Sequence, residues 1–201
     1  MVAALAHTWM NRYKAFPGQS RLKLLLTYGL IINWALVGLS MHRIHTAWLA
    51  DPGYLIESLM TLWAMAAMGP KTMPWGMLFA SAMVVVSSAA WDAWHLGLDA
   101  MWPTSEISAG LVLLVLCLWQ LSGLLMADDQ ELAWHQPTFW LFSSWTLMIS
   151  VELIFYPLRT LFLRQLSREW ILVPWYSKYF IGLILNLGVA RTFLCPKPSS
   201  S

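Results

Sequence analysis

The chain has 201 residues, 59% hydrophobic and only 11% charged, with a formal net charge of +2 at pH 7. An ordinary soluble domain carries roughly a quarter charged residues, so this composition excludes a conventional water-facing fold. The small basic excess sits at the ends of apolar segments and not along one face, which excludes an electrostatic footprint for nucleic acid.

The first ten residues hold no Lys or Arg, and Arg12, Lys14, Arg21 and Lys23 precede the first long apolar run. A secretory leader places its basic residues first, so residues 1–23 read as a basic cytoplasmic N-terminal arm. Leu24 to Ser40 then runs seventeen residues without a formal charge. A helix needs roughly 20 mostly apolar residues to cross a bilayer, and a first span is expected near 24–42. Asp51-Pro52-Gly53 reads as the following turn, with a short second span near 54–69 that carries Glu57, Ser58 and Thr61.

Gly69-Pro70-Lys71 reads as a break, and Pro74 as the first-turn residue of a third span reaching Trp94. Asp99 to Ser105 is expected to connect it to a fourth span near 108–126, and the acidic run Asp128, Asp129, Glu131 to lie outside hydrocarbon. A fifth span fits 138–157, ending at Tyr156-Pro157. In 158–170, Leu158, Leu161, Phe162 and Leu166 recur at helical spacing while Arg164 and Arg168 share another face, the pattern of an interfacial helix. A last span is expected near 172–190, followed by a flexible tail over 191–201. The fold expected is therefore all-α: a polytopic membrane helix bundle over 24–190, with about six transmembrane helices and one interfacial amphipathic helix.

Six crossings put both termini on one side. If that side is cytoplasmic, it receives Arg12, Lys14, Arg21, Lys23, Lys71, Arg191 and Lys197, against Arg43, Arg159, Arg164, Arg168 and Lys178 opposite. This slight excess favours cytoplasmic termini, in a bacterial inner membrane. Many of the 14 tryptophans fall near span ends, where amphipathic rings anchor at the interface.

The ionisable residues inside or beside the spans gather on one predicted face. His42 and His45 end the first span, Glu57 opens the second, Asp92 and His95 end the third, and Glu152 lies in the outer half of the fifth. His42/His45 and Asp92/His95 each have i,i+3 spacing, which places each pair on one helix face. Imidazoles and carboxylates so arranged suit a divalent metal, with His42, His45, Asp92 and His95 as ligands. They equally suit substrate binding or proton relay through Glu152, Glu57, Asp92 and His95. Ordinary interfacial placement explains most of them too, because charges belong at helix ends. Glu152 stands apart, since Met148 to Val151 and Leu153 to Phe155 surround it with one serine and otherwise apolar residues.

No nucleophile frame, phosphate loop or dinucleotide fingerprint is present in the sequence. The reading that asks least of the sequence is an accessory or assembly subunit of a larger membrane complex. It would contact other membrane proteins, further copies of itself, or lipid. The alternatives are a small-solute, ion or lipid-binding permease and a membrane enzyme or redox protein, with bound lipid, haem or a divalent metal as the ligands such sites would take. The six-span topology predicts that single cysteines at His42, Asp99 and Arg164 react with an impermeant thiol reagent from outside the cell, and one at Asp128 only from inside. Labelling of intact cells and inverted vesicles measures this, and an inward position 164 breaks the topology.

Overall fold

The structure, a computed structural model, describes residues 18–42, 44, 46–69, 72–98, 102–126, 136–165, 187, 188 and 191, the side chains at 47 and 156–165 excepted. Five helices follow in order: α1 Gln19–Met41, α2 Ala47–Met68, α3 Trp75–Leu96, α4 Pro103–Met126 and α5 Pro137–Gln165. No strand occurs among the described residues. Four helices are long and apolar enough to cross a membrane, namely α1, α3, α4 and the Pro137–Phe155 part of α5. The described residues thus form an all-helical bundle compatible with integral membrane placement. The expected sixth span, the arm before residue 18, and the 128–131 acidic run lie almost entirely outside the described residues.

Proline sets several helix starts. Pro103 and Pro137 each occupy the first helical position, where the missing N–H costs nothing and the fixed φ already suits a helix. Helix α4 therefore begins five residues before its expected start, and Trp102-Pro103 opens it instead of belonging to a long connection. Pro74 precedes α3 as its cap residue.

Asp51-Pro52-Gly53 does not form the expected turn, because helix α2 runs through it from Ala47. Pro52 removes the amide that would bond the Trp48 carbonyl, a loss that ordinarily bends a helix. Helix α1 packs on that point. The Tyr28 hydroxyl donates to the Gly53 carbonyl at 3.3 Å, and a Cβ on Gly53 would stand 3.2 Å from Ile32 Cγ2. The early start also moves Glu57 from the mouth of the helix to its middle, ten residues past Ala47. Helix α5 likewise passes through Pro157 without ending and continues to Gln165, so the first eight residues of the 158–170 stretch prolong it.

Helix α4 is the centre of the bundle. It packs on α5, α3 and α2, while α1 joins chiefly through α2. Of the apolar window of α4, 44% is buried, against 11% for α1. Leu113, Leu116, Cys117 and Leu124 of α4 meet Leu141, Phe142, Trp145 and Ile149 of α5 in one core with Leu62, Met65 and Val85. Between helices in lipid the gain is close van der Waals fit and not escape from water, so small residues matter at seams. Gly110 serves this role, since a Cβ there would stand 2.9 Å from Leu153 Cδ2. Gly38, expected at a seam by the same logic, has open space around it.

Helix α1 starts at Gly18, whose φ of 77° is left-handed and whose missing Cβ leaves room for Ala67 and Met68 of α2. A side chain there meets both a backbone penalty of about 1–2 kcal/mol and a collision. Gly18→Ala should lower the melting temperature in detergent. Gly38→Ala, in an open helical position, should leave it equal or raise it, by up to about 1 kcal/mol of helix propensity.

Candidate functional site

Most polar side chains in the helices are consumed locally. Thr27 donates to the Lys23 carbonyl, Asn33 to Gly29, Ser58 to Tyr54, Thr61 to Glu57, Thr146 to Phe142 and Ser150 to Thr146, all at 2.7–2.8 Å. These bonds to the preceding turn satisfy a hydroxyl or amide without a partner helix. The groups left for chemistry are accordingly few, and they are mainly acids.

Glu57 of α2, Glu106 of α4 and Glu152 of α5 all lie within electrostatic reach of Tyr54. Glu152 and Glu57 act on each other, and Glu57 also acts on Tyr28 of α1. A polar layer thus crosses the bundle from α1 to α5, through helices that are otherwise apolar. Its position follows from chain direction. Short connections between α1, α2, α3 and α4 bring the end of each helix to the start of the next, so the start of α4 stands beside the start of α2. Of the set Glu152, Glu57, Asp92 and His95 expected from the sequence, Glu57 and Glu152 lie within electrostatic reach of each other. Tyr54, Tyr28 and Glu106 complete the layer and were not among the sequence candidates.

Asp92 has a different setting. It is 2% exposed, and its Oδ2 accepts the backbone N–H of Ser105 at 2.7 Å, where Ser105 is also 2% exposed. The first turn of a helix leaves amides without intrahelical partners, and a carboxylate there is favoured by the dipole. Asp92 therefore caps α4 from α3. Two more bonds hold the same corner: Trp102 Nε1 donates to the Gly97 carbonyl at 3.0 Å, and Ser108 Oγ to Ser88 Oγ at 2.6 Å.

The imidazoles face elsewhere. His95 is exposed, with Nδ1 2.9 Å from the Trp91 carbonyl and its ring stacked on Trp91 at 3.9 Å between centroids. His42 is exposed at the end of α1, and His45 lies outside the described residues. Among the described residues no group of three or more His, Cys, Asp or Glu is placed to hold a metal ion. The aromatic residues at this end, with Trp94 86% exposed, suit an interfacial belt.

At the opposite end of the α1–α2 pair, Arg21 donates from Nη1 to the Trp63 carbonyl at 2.8 Å and lies 4.4 Å from the Trp63 ring centroid. This is a cation–π contact that anchors the start of α1 to α2. No family model, curated protein or solved structure matches the chain.

Proposed function

We propose that this chain is an integral membrane protein that binds a small cation or protonated solute at the layer formed by Glu57, Glu106, Glu152 and Tyr54, in the manner of a permease. The observation that supports this reading is that three acids from three helices lie within electrostatic reach of one tyrosine. Carboxylates in a low-dielectric interior repel one another, which favours an occupant that brings positive charge, as a proton or as a cation. A tyrosine ring and hydroxyl add a cation–π face and a hydrogen-bonding group. The six-crossing topology belongs to this proposal, with both termini in the cytoplasm of a bacterial inner membrane. The sixth crossing draws support from Gly188, which lies against Ser144 of α5.

A second reading, the accessory subunit of a larger membrane complex, is favoured by α1. That helix joins the bundle chiefly through α2 and turns Ile31, Trp34 and Val37 outward. Lipid or a neighbouring protein covers such a face equally well, which leaves the acid layer as the more specific feature.

A hydrophobic carbodiimide modifies carboxyl groups at hydrocarbon depth, and peptide mass mapping locates the adducts. In the purified full chain in mild detergent, Glu57, Glu106 and Glu152 should be modified. Sodium, potassium or a small organic ammonium ion should slow that modification by at least about tenfold when bound, equivalent to 1.4 kcal/mol. No protection by any of the three cations, together with no change in modification between pH 5 and 8, defeats the binding role. Co-purification with stoichiometric membrane proteins in that case supports the accessory reading.

A further inference from the structure

We infer that Asp92 is a positioning residue for Glu106, setting the rotation of α4 and thereby the place of that acid in the layer around Tyr54. The inference rests on the binding role proposed above for the layer. Its geometry stands on three bonds between neighbouring stretches of chain. Ser105, whose backbone N–H is held by Asp92, immediately precedes Glu106. Ser108 is one turn further along the same α4 face and bonds Ser88 of α3, while Trp102 bonds Gly97 just before the helix starts.

Successive residues of a helix are turned about 100° from each other. Ser105 and Ser108 therefore direct one face of α4 toward α3, and Glu106 is turned away from that face and lies within electrostatic reach of Tyr54 of α2. A helix start is the part of a helix most easily frayed, because its first amides have no partner of their own. Asp92 supplies that partner from inside the protein, at a site closed to water. Without it the first turn of α4 keeps only the Trp102 and Ser108 bonds to its surroundings and loosens, and Glu106 is the acid that moves. Glu57 and Glu152 sit on other helices and keep their places.

The conservative replacement separates positioning from charge. Asp92→Asn keeps a side-chain oxygen to accept the Ser105 amide but removes the charge, whereas Asp92→Ala removes the acceptor. Carbodiimide modification of the full-length protein in detergent reads each acid separately. Asp92→Ala should change the rate at Glu106 by at least about threefold relative to the rates at Glu57 and Glu152, and Asp92→Asn should restore the parental ratio. An unchanged ratio in Asp92→Ala, an equal change at all three acids, failure of Asp92→Asn to restore it, or absence of modification at Glu106 in the parent overturns the inference. If Asp92→Ala does not yield folded protein, Asp92→Gly and Asp92→Ser take its place, and failure of all three while Asp92→Asn folds with an altered ratio also overturns it. Cation protection in the parent protein tests the binding role alone, so either idea can fail while the other stands.

Discussion

A polar group in hydrocarbon has no water to turn to, and this constraint governs every part of the bundle. The backbone meets it by being helical throughout the membrane-length segments. Side-chain hydroxyls and amides meet it by bonding the preceding turn, as Thr27, Asn33, Ser58, Thr61, Thr146 and Ser150 do. Those bonds leave the surfaces between helices mainly to apolar and small residues. The polar contacts that cross from one stretch to another then stand out, and each lies at a place where the fold is specified: Tyr28 on α2 beside Pro52, Asp92 on the start of α4, Ser108 on α3, and Arg21 on α2.

The same constraint explains why Asp92 and the three glutamates behave so differently. Asp92 meets an unpaired amide at a helix start, where a negative group is welcome. Glu57, Glu106 and Glu152 lie within electrostatic reach of Tyr54, and Glu57 and Glu152 act on each other. One acid serves the architecture, and the others gather in the region proposed above as a binding site. Helix α4 links the two, since it carries both the capped turn and, at the next residue, one member of the layer.

Much of the helical framework was legible from the apolar runs, and alternating chain direction put Glu57 and Glu152 on one face with His42, His45, Asp92 and His95, whereas in the structure Asp92 caps α4 and His95 stacks on Trp91. The misread places share a cause. Asp-Pro-Gly and Trp-Pro resemble punctuation, but a proline's effect depends on its neighbours: Pro52 is held inside α2 where Tyr28 and Ile32 press on Gly53, and Pro103 opens α4. Glu106 drew no notice because an acid in the first turn of a helix is an ordinary favourable choice against the dipole. The useful signal was its end of the bundle. Once Pro103 is taken as the first helical residue, Glu106 falls beside the starts of α2 and the later half of α5. Tyr54 had no signal in the sequence beyond its distance of one turn from Glu57.

The contact between Gly188 and Ser144 has a consequence for how the protein can be shortened or joined to others. Gly188 lies so near the α5 hydroxyl that any Cβ would displace it. Gly188 thus covers a polar spot on α5 that acyl chains would not accept. A version cut before residue 187 would bare that hydroxyl to lipid, whereas a fusion appended beyond Arg191 would leave the shielding glycine in place.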